Sequence, residues 1–185
     1  QVTQALTMHA SPNQHPGPLE WLHRIEKAVY AAERMVCAGS LIVMLLAVGY
    51  TVIVRNLGLA SPNYGELGLA AMVPLTLIGG AMCTYLGSHI SVEIVNATSS
   101  RLLKSAGGLI VALATIAFAA LYAYSGSILI EDFRSSGDKL LDLGTPLWLL
   151  AVFFPIGMLL MIFHSVVRIV SIIAKSDEVA RDLTP

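Results

Sequence analysis

Four long apolar stretches, separated by short polar segments, organise this chain. They cover residues 36–54, 67–86, 107–130 and 147–170, each near the roughly 20 helical residues that cross a hydrocarbon core. Apolar side chains surround each stretch on every side, which excludes helices lying flat on a surface. Nothing alternates with the period of two that a membrane β-strand requires. The pattern predicts an all-α integral membrane protein of four transmembrane helices. Arg55 ends the first span, and Asn63-Tyr64-Gly65-Glu66 opens the second. Asn63 and Glu66 have the spacing of a capping box. Glu131-Asp132 closes the third span; Thr145, followed by Pro146 at the first helical position, opens the fourth. Pro74 and Pro155, each close to glycine, predict kinks that neighbouring helices can accommodate.

Residues 19–35 follow a different pattern. Trp21, Ile25, Ala28, Val29 and Ala32 recur at helical spacing, while Glu20, Arg24, Lys27, Glu33 and Arg34 cover the rest. This predicts an amphipathic interfacial helix on the cytoplasmic surface, with Trp21 at headgroup depth. The alternative is a plain extension of the first span. The domain scheme is then a polar tail at 1–18, the interfacial helix at 19–35, a transmembrane domain at 36–174 and a cytoplasmic tail at 175–185.

Charge sets the orientation. Of the eleven Lys and Arg, eight fall before the first span, between the second and third, or at and after the end of the fourth; only Arg55, Arg134 and Lys139 lie on the other side. The positive-inside rule places both termini in the cytoplasm. The first 18 residues show no basic-then-apolar pattern and no small-residue cleavage site, so the first span is expected to be an uncleaved anchor. The chain opens with Gln1, and Met8 is a candidate native start. Apolar residues make up 56% of the chain and charged ones 12%, against about 25% charged in soluble domains, which argues for membrane over cytosol. No basic run or RNA-binding motif points to nucleic acid.

Candidate chemistry is sparse. Every Asp and Glu is placed at or beyond a helix end, and only His164 falls within an apolar run, about one turn from Arg168. It reads as an interface residue. Cys37 and Cys83 lack C-x-x-C spacing and read as small packing residues. Haem would need paired histidines on facing helices. His89 and Glu93, with Asn96, follow the second span at near-helical spacing, and two such ligands make a cap or subunit contact better than a metal site. No cofactor and no metal are expected, and no enzymatic role. Gly108, Ala112, Thr115, Ala119, Ala123 and Ser127 form one small-residue face on the third span, suited to close helix packing within the chain or against a partner. Arg55 and Glu66 bracket a short loop, either as an ion pair or with Arg55 reaching to phosphates.

Several landmarks now point to a family. The lead-in with Glu20-Trp21, Arg55, Glu66-Leu67, Gly79 and Ser88-His89-Ile90-Ser91-Val92-Glu93 occur in an order and spacing that carry the likeness. Thr145-Pro146-Leu147-Trp148 and Phe154-Pro155-Ile156-Gly157 complete it. Over about residues 19–172 the chain resembles the small membrane subunit, DctQ type, of tripartite ATP-independent periplasmic (TRAP) transporters. It departs at Glu93, where the family usually has aspartate, and at Ser88, commonly glycine. The resemblance implies a multi-pass subunit of the bacterial inner membrane. It implies partners too: a large permease subunit holding the substrate and sodium sites, and a periplasmic binding protein delivering a solute, commonly an organic acid. The small subunit would act as a scaffold for ion-gradient-driven uptake.

The loops at 56–65 and 131–143 are expected to help dock the binding protein, the second through its alternating charges, Arg134 and Lys139 among them. Trp148 joins Trp21, Arg55, Glu66, His89 and Glu93 as a candidate contact residue. The rival readings are a stand-alone homo-oligomeric transporter or channel, and a membrane enzyme using His89 and Glu93.

Overall fold

The computed structural model describes residues 18–59, 64–87 and 101–182. The polar tail before Pro18, residues 60–63 with the capping candidate Asn63, and the 88–100 segment with His89, Glu93 and Asn96 lie outside the described residues. The elements are α1 (Pro18–Asn56), α2 (Gly65–Leu86), α3 (Arg101–Ser136), α4 (Leu147–Ala151) and α5 (Phe153–Asp182). Four stretches are long and apolar enough to cross a membrane: Leu19–Asn56, Gly65–Leu86, Ser105–Ser136, and Leu147–Ala174, which combines α4 with most of α5.

Helix α1 is unbroken for 39 residues, about 58 Å at 1.5 Å per residue. Residues 19–35 and the first span form one continuous helix. The local reason is composition. Proline occurs only at Pro18, the first helical position, where its missing N–H costs nothing. The interior is rich in Ala, Leu, Glu and Arg, all good helix formers.

Within this stretch Glu20, Arg24, Lys27 and Arg34 are exposed, but two of its acids are not. Trp21 and Ile25 are exposed, whereas Glu26, Tyr30 and Glu33 turn inward. Where lipid is the solvent, apolar residues can face out while charged groups find partners inside the protein. The expectation that every carboxylate lies at or beyond a helix end is corrected by Glu33, which is inside α1 and 3% exposed.

The helices pack in the order α1–α2–α5–α3. Among the described residues α1 and α3 share no close approach, and α2 and α5 form the middle. Stacked Tyr30 and Tyr85, with ring centroids 4.4 Å apart, tie α1 to α2 at one end. Tyr50 and Tyr64, edge to face at 5.3 Å, do so at the other. The core lies mid-bundle, where Ala81, Ala119, Met158 and Met161 are buried and Leu77, Ala123 and Phe154 pack on them.

Small residues allow these approaches. A Cβ on Gly157 would lie 2.8 Å from the Leu77 carbonyl oxygen, so the α5 surface meets the α2 backbone there. In α3, Gly108, Ala112 and Ala119 are buried and Thr115 and Ala123 half-buried, while Ser127 is exposed. A Cβ on Gly108 would meet Ile172 at 3.2 Å, and one on neighbouring Gly126 would meet Phe154 at 2.7 Å. The small face therefore lies along α5, and at its far end Gly126 rather than Ser127 makes the contact.

Proline acts differently in its two settings. Pro74 sits inside an uninterrupted α2. Pro155 follows a one-residue interruption at Val152, which separates α4 from α5. Its ring lacks the N–H that would bond the Ala151 carbonyl and crowds that oxygen. At the start of α4, Pro146 is the N-cap, extended at φ −62°, ψ 132°, and no side chain caps the helix. The expected Thr145 cap is therefore not formed; its carbonyl instead accepts the Leu140 N–H at 2.9 Å.

Candidate functional site: polar anchors at the two ends of the bundle

At one end the loop between α3 and α4 folds onto the start of α2. Gly137 and Gly144 take positive φ values of 71° and 64°, which a side chain would disfavour. Between them the backbone closes on itself. Gly144 N–H donates to the Leu140 carbonyl at 2.9 Å, Leu147 N–H to the Asp138 carbonyl at 3.0 Å, and Lys139 bridges Pro146.

Three further amides point at one carboxylate. Leu141 N–H donates to Glu66 Oε1 at 3.1 Å, and Asp142 and Leu143 N–H donate to Oε2 at 2.9 and 3.2 Å. Consecutive amides aimed at one anion form a concave backbone nest. The Asn63 half of the expected capping box lies outside the described residues; the Glu66 carboxylate makes a tie across 75 residues of chain to Leu141. Among the described residues Arg55 makes no ion pair with it and is exposed. Arg134 lies over Trp148, 5.3 Å from the ring centroid, so the α3 end is fastened to the α4 start by a cation–π contact. Lys139 is exposed, and Trp148 half-buried.

At the other end His164 of α5 is 1% exposed and held between two acids of α1. Its Nε2 lies 3.1 Å from Glu33 Oε1, and its Nδ1 lies 3.4 Å from Glu26 Oε1. His23 Nδ1 lies 3.4 Å from the other Glu26 oxygen. Glu26 and Glu33 are seven residues apart, two turns, and so share one face of α1. A carboxylate only accepts, and a neutral imidazole donates from one nitrogen. Both contacts are hydrogen bonds only if the ring carries two protons or one acid carries the second.

Either way both ring nitrogens face a carboxylate oxygen. Among the described residues, no three His, Cys, Asp or Glu side chains are grouped to hold a metal ion. Glu33 Oε2 and Ser165 Oγ are buried without hydrogen-bond partners among the described residues. Tyr85 flanks the imidazole at 5.4 Å.

The His164 cluster opens into a polar cleft of about 420 Å³, lined by Tyr85, Val167, Arg168 and Ser171 among others. A second cleft, about 250 Å³ and almost wholly apolar, lies toward the Glu66 end between Leu69, Val73, Phe133, Leu140, Leu147 and Phe154. The core of Ala81, Ala119, Met158 and Met161 falls between the two groups of lining residues.

Sequence reasoning singled out Glu66, Arg134 and Trp148 but not what they touch, and it did not select Glu26 or Glu33. Their signal was present as a polar stripe, Glu26-Tyr30-Glu33, down one face of a membrane helix that also faces a lone buried histidine.

Comparison with known proteins adds the family. No curated protein matches the chain. The family model described as "Tripartite ATP-independent periplasmic transporters, DctQ component" matches residues 44–175, most of the chain and all of its last three spans, though not Glu26 or Glu33. With four candidate spans, this is a multi-pass membrane protein of a transport system. The chain belongs to the DctQ family of tripartite ATP-independent periplasmic transporter components.

Proposed function

We propose that this chain is the small scaffold subunit of such a transporter, anchored in the bacterial inner membrane with both termini in the cytoplasm. It binds a large permease subunit through its apolar flanks. The permease takes up an organic acid, delivered by a periplasmic binding protein, and is driven by a sodium-ion gradient. The small subunit itself takes part in no chemical step.

One observation carries this reading. The polar cleft at the His164 end and the apolar cleft at the Glu66 end are separated by a packed core, and His164, Glu26 and Glu33 beside the first are engaged with one another. A solute crossing the chain would have to break that core. Meanwhile α1 and α3 leave large apolar side chains uncovered along their length, among them Leu45, Leu46, Ile53, Ile110 and Leu121. Such faces suit lipid and a companion's helices alike.

Two measurements test the proposal. The chain should co-purify with the large permease subunit, and vesicles holding the pair, but not vesicles holding this chain alone, should take up solute when binding protein is supplied. Uptake by the chain alone would replace this reading with that of an independent homo-oligomeric transporter. Charge reversal at Arg55, Arg134 and Lys139 addresses the docking role of the loops. Unchanged docking and transport in that triple variant would remove it.

A further inference from the structure

A neutral histidine between two carboxylates is one proton short. His164 Nε2 lies 3.1 Å from Glu33 Oε1, and Nδ1 lies 3.4 Å from Glu26 Oε1. Because a neutral imidazole has a single N–H, one contact would set a ring lone pair against a carboxylate oxygen. His164 is 1% exposed and Glu33 3%, so bulk water cannot relieve that clash. One added proton, placed anywhere among the three groups, turns both contacts into hydrogen bonds. A second would add no bond among them.

Charge argues the same way. With the added proton the three groups total one negative charge, and the Arg168 side chain lines the same cleft. Without it, two carboxylates stand two turns apart on one face of α1, and Glu33 is buried unpaired. The other titratable and charged groups about the cluster are His23 and Cys37 on α1, Tyr85 on α2 and Arg168 on α5. Among the described residues α3 adds none to the cleft.

The site also has a way in. His164 and Glu26 themselves line the polar cleft of about 420 Å³, whereas Glu33 does not. The core of Ala81, Ala119, Met158 and Met161 lies between this cleft and the apolar one, so a proton leaves by the side it entered.

We propose that Glu26, His164 and Glu33 form a binding site for one proton, exchanged with water through the polar cleft, and that losing it frees α1 from α5. The proton belongs to the group of three rather than to one residue. Since α1 and α5 otherwise touch little, the occupancy of this site decides whether they stay joined at this end.

The test uses the full chain in nanodiscs. Spin labels go on the exposed positions of Arg24→Cys and Ile173→Cys, with Cys37 and Cys83 replaced by alanine. Glu26→Gln is the decisive variant. Its amide can donate to Nδ1 while Nε2–H donates to Glu33, so no added proton is needed. As pH rises from about 6 to about 9, across the ordinary histidine value, the wild-type label separation should lengthen and broaden. In Glu26→Gln it should stay short.

Stability gives a second readout, by unfolding in denaturing detergent. Above about pH 6.5, the ordinary histidine value, only the folded chain holds the added proton. Its folding equilibrium constant should therefore fall by up to about tenfold per pH unit, with no such fall in Glu26→Gln. Equal slopes in the two proteins overturn the proton site. A wild-type slope with unmoved labels overturns the release of α1. If Glu26→Gln does not fold, Glu33→Gln faces the same comparison, its amide donating to Nε2 while Nδ1–H donates to Glu26.

Discussion

Two glutamates of this protein, Glu66 and Glu33, solve the same problem by opposite means. Glu66 is satisfied by three main-chain amides of a single loop, all of them neutral donors that exist whatever side chains the loop carries. Glu33 depends on one imidazole from another helix, which it shares with Glu26, and one of its oxygens has no partner among the described residues. The first arrangement orders a loop and leaves the helices where apolar packing puts them. The second fastens α1 to α5, two helices that otherwise touch little. A tie made of side chains alone cannot lose a member without stranding the others.

The largest expected effect follows from that dependence. His164→Ala should cost about 3–5 kcal/mol, the range for removing one partner of a buried charged pair, read as a drop in thermal unfolding temperature in detergent. Replacing His164, Glu26 and Glu33 together by apolar residues of similar volume should be close to neutral on the same measure. A triple variant as unstable as the single one would show that the cluster does more than tie helices.

Glu66→Ala ranks next. Losing charge-assisted hydrogen bonds should cost about 1.5–3 kcal/mol, and the loss should be local. Hydrogen exchange at the amides of Leu141, Asp142 and Leu143 should rise steeply while the α1–α2 contact stays protected. Global destabilisation equal to that of His164→Ala would erase the contrast drawn here.

The two inner acids should also differ. Glu33 is the more buried and lies nearer the ring, so Glu33→Gln should destabilise more than Glu26→Gln, by about 1 kcal/mol, the size of one net hydrogen bond. The smallest effect is expected at Arg134→Ala. Its contact with Trp148 is exposed and worth at most about 1 kcal/mol, seen as a slight loss of order at the α4 start.

The four spans were legible because apolar length is a property of sequence alone. Glu66 could be chosen as a candidate, since a lone acid at a helix start is unusual, but its partners could not. They are main-chain amides 75 to 77 residues away, and backbone donors leave no mark on the residue type. The inner cluster was missed for a different reason. The stretch from Trp21 to Met35 carries enough charge to resemble a surface helix, and the usual rule for such helices buries the apolar side.

Here that rule fails at two acids. The same stretch of sequence gives a continuous α1 with Glu26 and Glu33 turned inward. The break at Val152 and the Pro146 cap were only partly readable. Pro155 announced a disturbance, but its position one turn upstream depends on the Ala151 carbonyl.

The seam where Gly157 rests on the Leu77 backbone has a consequence for how the molecule comes together. On one side of it stands the pair α1 and α2, on the other α3 with α4 and α5, and each half holds two of the four candidate spans. Nothing in the seam needs a continuous chain between Gly87 and Arg101. Co-expressed halves severed there are expected to find each other and restore the whole, and bulk at residue 157 should keep them strangers.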